Sequence, residues 1–548
     1  MKRLTKFVRY HLGPTLLARY SRLFLTYFLY IKPNLTRQLQ PLQARVSASD
    51  RHPRILLPLL ETNHYQYYQM LALAKALVLR GAEIRVLLCG SRLNGCEIKS
   101  IRSSKINPCL VCRFNHEKVV PIFGLDTVKI ADYISDEEIK TIRERANRIA
   151  LDYPKKYEYK GIDIISMTTD SVVRYFYGAI PPEGYPELRD IRSQHLETAM
   201  IGVDVAQAIY SEWRPDSLLN NMPVYSAWEP YVRVFDQKSI KTYVVSVSAL
   251  NLTTVVLNRN DLYGDNRRYA RWLDKRGGTV LDAGEKRELT RFMAERVDGS
   301  SPIFKMYEIF VESNEGIKSL GIDQNKRNVF LFSNLYWDIG MTESASLYNG
   351  VIPWVLDTIE MLKDQPGCHL YIKPHPVEMA GITGSLKGVI DFIRERFPIL
   401  PSNVSIIAPE LKIKTYDLFP WIDVGVVYNG TLGLEMLQYD IPVIVAGQAP
   451  YRSLKSVSSP HSVPEYRNAL IGETQAPSLD QSEIELFSYF YFIKSAIPWT
   501  LTKQAFGDNF KGFAFESLDE LLPGRDPSLD HLCNCILDPE NTVIEGWS

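Results

Sequence analysis

The sequence predicts an α/β protein built from two Rossmann-like, doubly wound domains facing a cleft. Three observations carry this. From Asn328 onward, five short apolar strands alternate with helical stretches, the pattern of an open parallel sheet. A strand–helix–strand unit stands near residue 54, and such units close with a right-handed crossover into parallel pairing. Finally, 548 residues exceed what one hydrophobic core usually organises.

In the first half, Ile55–Leu60 is an apolar run of strand length. Thr62, Asn63 and His64 form a polar loop, and Tyr65–Arg80 has helical spacing with Met70, Leu73, Leu77 and Val78 on one side. Gly81 suits a helix C-cap before a strand over Glu83–Cys89. Ligands of parallel sheets bind at the carboxyl ends of strands, so Thr62, Asn63 and His64 are candidates for an acceptor cleft. Residues 130–200 read as helical, with Ser135 and Glu138 as a capping box. Strands follow around 215–221, 240–251 and 253–258, and Asn220, Asn221, Tyr225 and Glu229 either line the cleft or are ordinary loop residues. Residues 258–300 are charged and read as a helical excursion or a flexible insertion.

Composition narrows the function classes. Lys+Arg and Asp+Glu both number 63, so there is no global basic charge to argue for nucleic acid. Seven cysteines in so long a chain are too few for a disulfide framework and suit a reducing compartment. Cys89, Cys96, Cys109 and Cys112 cluster in sequence, with Cys109 and Cys112 at Cys-x-x-Cys spacing. They either close a structural zinc site or remain free or redox-active thiols. Residues 1–54 carry eleven Lys/Arg and one acid, Asp50, among many aromatics. Such a segment either lies on an anionic membrane surface through residues 1–32 or packs on the body of the protein. The apolar run Leu23–Ile31 is too short to span a bilayer, and no small-residue cleavage site follows it. The expectation is an uncleaved cytoplasmic protein, peripheral at the inner face of the plasma membrane if the extension binds lipid. The domain reading is an extension over 1–53, a first domain over 54–320, a second over 321–500 and a tail over 501–548.

The second half carries the strongest signal. Strands are predicted at 328–333, 368–374, 403–409, 423–428 and 442–447, with helices at 351–363, 386–397, 415–422 and 431–438. Two loops stand out. In "YIKPHPVE", Lys373, His375 and Glu378 fall just past a strand, where Lys offers a point charge and His a hydrogen bond or a proton. Pro374 and Pro376 stiffen the loop. In "VVYNGTLGLEMLQYD", Asn429, Gly430 and Thr431 turn directly from a strand into a helix, whose first amides favour an anion. Gly430 and Gly433 permit close backbone approach, and Glu435, one turn beyond Thr431, is placed to accept from ribose hydroxyls. Together the loops describe a nucleotide site.

"KPHPVE", followed about fifty residues later by "YNGTLGLEMLQYDIPVIVAG" and "PYR", resembles the capsule polysaccharide biosynthesis family. That family includes capsular β-Kdo transferases, which are GT-B glycosyltransferases acting on a lipid acceptor. The pair also resembles the His-Pro and Ser/Thr motifs of sialyltransferases and of teichoic acid glycerophosphotransferases. "NLYWD" (334–338) and "PEYRNAL" (464–470) extend the likeness over about 325–500. The resemblance implies a nucleotide-sugar donor, CMP-linked by preference, and a surface or capsular polysaccharide or glycolipid acceptor. His375 and Thr431 would contact the phosphate, and Glu435 the nucleoside or sugar. Negative charge on the departing phosphate would be met by Lys373, His375 and the amides at Thr431 without a required cofactor. Asp338 is the candidate base. Two other readings stay open: a nucleotide-sugar 2-epimerase and a non-catalytic carbohydrate-assembly protein.

Overall fold

The computed structural model describes residues 52–61, 65–97, 109–248, 250, 254–259, 266–300, 315–338, 347–375, 378, 387–411, 413–504 and 510–538. The extension over 1–51 and the loop residues Thr62, Asn63 and His64 lie outside them. The chain divides into two compact units. Unit 1 comprises Met1–Tyr175, Pro181–Leu262 and Ala496–Ser548; unit 2 comprises Phe176–Ile180 and Tyr263–Ser495. Each contains its own parallel sheet with flanking helices, as the alternation of apolar runs predicts.

Unit 1 begins with β1 (Arg54–Leu59), α1 (Tyr65–Val78) and β2 (Glu83–Leu88). Next come α2 (Cys109–Lys118), β3 (Asp126–Lys129), α3 (Asp136–Asp152), α4 (Ile165–Phe176) and α5 (Pro186–Trp213). It continues through β4 (Ser217–Asn220), α6 (Tyr225–Asp236), β5 (Lys241–Val247) and β6 (Thr254–Arg259). The Ser135 hydroxyl accepts from the Glu138 amide, and the Glu138 carboxylate accepts from the Ser135 amide at 2.8 Å, the reciprocal cap that starts α3.

In unit 2, α7 (Asn266–Arg276) and α8 (Ala283–Val297) precede β7 (Arg327–Phe332), α9 (Val351–Leu362), β8 (Cys368–Lys373) and α10 (Val389–Arg396). Then follow β9 (Val404–Ile406), β10 (Val424–Val427), α11 (Leu432–Leu437), β11 (Val443–Val445), α12 (Val463–Ile471) and α13 (Gln481–Tyr489). The chain re-enters unit 1 with β12 (Ile497–Pro498) and α14 (Pro527–Leu537).

The sheet of unit 1 runs β12-β6-β5-β4-β1-β2-β3. β3, β2, β1, β4 and β5 are mutually parallel; at one end β6 pairs antiparallel to β5, and β12 pairs antiparallel to β6. Its core packs Ile55, Leu57 and Leu59 of β1 against Met70, Leu71 and Leu77 of α1, and Leu532 and Cys533 of α14 join it. Arg80 forms an ion pair with Asp530 and donates to the Leu521 carbonyl at 2.8 Å, which fixes the C-terminal residues here.

The sheet of unit 2 runs β9-β8-β7-β10-β11, parallel throughout. Counting strands in chain order, both units read 3-2-1-4-5 across the parallel strands, the doubly wound order with a switch point beside the first strand. Trp354 of α9 is fully buried, with its indole N–H donating to the Tyr466 hydroxyl at 2.7 Å.

The charged segment 258–300, assigned to the first domain, instead supplies α7 and α8 of unit 2, so the division falls near Tyr263 rather than at 320. Tyr269 packs edge-on against Phe487, and Tyr489 donates to Glu288 at 2.9 Å. Aromatic faces spaced along α7 hold it to α13 although its sequence is mostly polar. Among the described residues no helix is long and apolar enough to cross a membrane.

Candidate nucleotide site

The parallel register aligns the strand ends in unit 2. Lys373, the last residue of β8, pairs with Phe332 of β7, and Phe332 pairs with Val427 of β10. The two sequence motifs therefore emerge at the same carboxyl edge, one on each side of the central strand, about 10 Å apart at two strand spacings. They are not on adjacent strands, because the end of β7 stands between them. Two contacts join all three: Ser333 N–H donates to the Lys373 carbonyl at 3.2 Å, and the Asn334 side-chain oxygen faces the Asn429 N–H at 3.5 Å.

On the β8 side, the Lys373 ammonium is half-buried and donates to the Ile413 carbonyl at 3.0 Å. Burial, with the Lys373 charge beside it, pulls the His375 imidazole down to about 4. His375 is therefore neutral at pH 7 and offers one donor and one acceptor, not the near-neutral proton exchange expected of an ordinary histidine. Burial pushes the Glu378 carboxyl up to about 8, although the Val389 N–H donates to its Oε2 at 2.8 Å. Glu378 N–H in turn donates to the His375 carbonyl at 2.9 Å, so the residue closes the loop on itself.

On the β10 side, Asn429 is buried and Gly430 is half-buried. The Tyr451 hydroxyl donates to the Gly430 carbonyl at 2.5 Å. A Cβ on Gly433 would overlap that same hydroxyl. The glycine expected to admit a ligand instead admits Tyr451. Thr431 occupies the N-cap position without a side-chain cap; its hydroxyl donates to Glu435 Oε1 at 3.0 Å. The helix it begins, α11, has only six residues, so its dipole is small.

Glu435 departs furthest from expectation. It is 1% exposed. Arg296 Nη2 donates to its Oε1 at 2.6 Å, and Tyr416 donates to its Oε2 at 2.5 Å. Both oxygens are committed within unit 2, so the carboxylate anchors Thr431 and α11 rather than standing open for a ribose. Asp338 is exposed beyond the end of β7. Sequence reasoning missed Asn334, Tyr451, Arg296 and Tyr416. Asn334 was within reach, as a polar residue right behind a predicted strand. Arg296 gave no signal, since only tertiary packing brings a residue 139 positions away to Glu435.

In unit 1, Asn220 ends β4 fully buried, its side-chain oxygen accepting from the Met222 N–H at 2.9 Å. Glu229 is bound to Arg233 at 2.6 Å. Among the described residues no group of three or more His, Cys, Asp or Glu side chains is arranged to hold a metal ion. Of the four cysteines read either as zinc ligands or as free or redox-active thiols, Cys89 is buried, Cys96 lies in a loop, and Cys109 and Cys112 are residues of α2.

A buried polar chain that the sequence did not reveal links α4, α5 and α6. Ser171 Oγ donates to Glu97 Oε1 at 2.8 Å and lies 3.1 Å from Ser226 Oγ, which lies 2.7 Å from His195 Nδ1. Burial pushes the Glu97 carboxyl up to about 7, against the pull of the Ser171 hydrogen bond and the Arg174 charge.

No protein-family model matches the chain, and no curated protein sequence does. Among solved structures, the chain is similar to the β-Kdo 2,4 transferase of Thermosulfurimonas dismutans KpsC, at 14% identity and a TM-score of 0.32 over 57% of this chain and 88% of that one. It is similar to the β-Kdo 2,7 transferase of the same protein at 13% identity and a TM-score of 0.30, over 52% and 78%. It is also similar to the UDP-GlcNAc 2-epimerase of Neisseria meningitidis bound to UDP-GlcNAc, at 9% identity and a TM-score of 0.21, over 81% and 99%. The chemistry of the site itself, not these distant likenesses, carries the functional reading.

Proposed function

We propose that the protein is a glycosyltransferase whose unit 2 holds a nucleotide-sugar donor, CMP-linked by preference, for transfer to a surface or capsular polysaccharide or glycolipid. The single observation supporting this reading is the convergence of Lys373–His375 and Asn429–Thr431 at one carboxyl edge, on either side of the central strand of a doubly wound sheet. That edge, at the switch point, is where such sheets bind ligands.

The chemistry of the edge suits a departing phosphate. As the glycosidic bond breaks, its electron pair settles on the phosphate oxygen. The Lys373 charge and a neutral His375 N–H stabilise that oxygen, and because they are fixed in place they need no reorganisation as charge develops. A single lysine charge with neutral donors matches a nucleoside monophosphate leaving group, which carries less charge than a diphosphate. Asp338, exposed past the end of β7, is the candidate base for the acceptor hydroxyl.

The test is a thermal-shift screen of the full chain with CMP, CDP, UDP and GDP. Ligand at a hundred times its dissociation constant adds about 2.7 kcal/mol to stability. Stabilisation by one nucleotide supports the reading, and CMP is the expected one. No response to any of the four at millimolar concentration overturns it.

A further inference from the structure

The end of the central strand of unit 2 carries two polar side chains with no role in the motifs on either side. Ser333 is the first residue past β7 and is 6% exposed. Its N–H is spent on the Lys373 carbonyl. Its hydroxyl is buried with no hydrogen-bond partner among the described residues. A buried hydroxyl left in that state costs about 1–3 kcal/mol, and the large majority of such groups in folded proteins are satisfied. Asn334 follows, with its side chain over the Asn429–Gly430 turn. Its oxygen meets the Asn429 N–H only at 3.5 Å, a length at which little hydrogen-bond energy remains. Its amide nitrogen lies 3.3 Å from where a Cβ on Gly430 would stand.

The position of these two residues gives them meaning. β7 lies between β8 and β10, and the switch point falls between β7 and β10 because the chain leaves β7 for one side of the sheet and later returns on the other. Ser333 and Asn334 thus touch both motif loops, one through Lys373 and the other through Asn429. The Ser333 O–H and the Asn334 NH2 can both donate, beside the charge of Lys373. A group that only accepts, with several oxygens in a compact cluster, satisfies such a set. A nucleoside base or a ribose, which needs acceptors as well as donors, does not.

We propose that Ser333 and Asn334 bind the phosphate of the donor, the serine hydroxyl and the asparagine amide each donating to a phosphate oxygen between Lys373 and Gly430. The proposal rests on the donor reading above and adds the floor of the site to its two walls.

Calorimetric titration of the full chain with CMP and, separately, with cytidine tests it; if another nucleotide leads the screen, that nucleotide and its nucleoside replace them. Four proteins are compared: wild type, Ser333→Ala, Asn334→Ala and Asn334→Asp. Each alanine variant is expected to weaken the nucleotide about tenfold, the loss of roughly one hydrogen bond to a charged group, with nucleoside affinity unchanged. Asn334→Asp sets a negative charge against the phosphate and is expected to weaken the nucleotide more than either alanine, again sparing the nucleoside. Unchanged melting temperatures without ligand exclude misfolding as the cause, and Ser333→Cys, close in size to serine, replaces Ser333→Ala if that variant melts early. If all variants bind the nucleotide as wild type does, the proposal falls and the donor reading stands. Equal losses for nucleotide and nucleoside also overturn it. If wild type binds no nucleotide, the donor reading falls and takes the proposal with it.

Discussion

Arg296 and Glu435 form a buried ion pair at 2.6 Å, each side chain less than a tenth exposed. The pair ties α8 to α11 within unit 2, and through the Thr431 hydroxyl on Glu435 it reaches the turn after β10. Removing one partner of such a pair leaves an uncompensated charge in a low-dielectric setting, which costs about 3–5 kcal/mol. Arg296→Ala is therefore expected to lower stability by that order in urea denaturation. The double variant Arg296→Met/Glu435→Leu, which removes both charges and keeps bulk, is expected to recover much of the loss. A double variant as unstable as the single one would show that the charges themselves are not what binds α8 to α11.

Gly433 is held to glycine by Tyr451. An added methyl overlaps the Tyr451 hydroxyl and crowds the ring atoms Cζ and Cε2 at 2.9 and 3.0 Å. Overpacking of this kind costs about 1–3 kcal/mol. Gly433→Ala is expected to destabilise within that range, and Tyr451→Phe in the same chain is expected to return part of it. A double-mutant cycle read by thermal melting gives the coupling. Strict additivity of the two changes would place the methyl away from Tyr451.

His375 links the site to acid stability. Burial depresses its pKa from 6.5 to about 4. A depressed pKa gives a stabilising contribution that is present above the unfolded value and lost as pH falls through the folded one. Wild type is expected to lose stability relative to His375→Gln between pH 6.5 and 4, and the two to run parallel above pH 7. In turnover with the donor identified by the screen, His375→Ala is expected to fall at least a hundredfold, about 2.7 kcal/mol of transition-state stabilisation, with the fold intact by circular dichroism.

Glu97 acts in the opposite direction. Its carboxyl rises from 4.5 to about 7 on burial, so folding favours the protonated form. The corresponding stability is present in full below pH 4.5 and is lost as pH rises through 7. The span is on the order of 3 kcal/mol at 1.36 kcal/mol per unit. Glu97→Gln keeps the hydrogen bond from Ser171 and removes this one titration, so wild type is expected to lose stability relative to the variant as pH rises from 5 to 8. Denaturation at pH 5, 6, 7 and 8 reads this directly, and parallel curves would place the titrating carboxyl elsewhere.

Much of the fold was legible in the chain. The strands at 328–333, 368–374, 423–428 and 442–447 appear within a residue or two of their predicted ends, because a strand buried on both faces must be apolar throughout and must stop where polar residues begin. β9 is shorter than its predicted run, at three residues. An edge strand pairs on one side only, and here the chain turns away once that pairing ends. α7 and α8 were assigned to the wrong half because their charged composition describes their solvent faces and says nothing of which sheet they cover.

Local pattern in the chain set the two alternating α/β halves and the placement of Lys373 at a strand end and of His375, Asn429 and Thr431 just past strand ends, since apolar periodicity and turn residues are local properties. Tertiary structure alone decided that β7 runs between the two motifs, that Glu435 is taken by Arg296 and Tyr416, that Gly433 makes room for Tyr451, and that Glu97 faces Ser171. The reason is physical. Strand order, burial and the desolvation that moves a pKa arise from contacts between residues distant along the chain, and local pattern does not encode them.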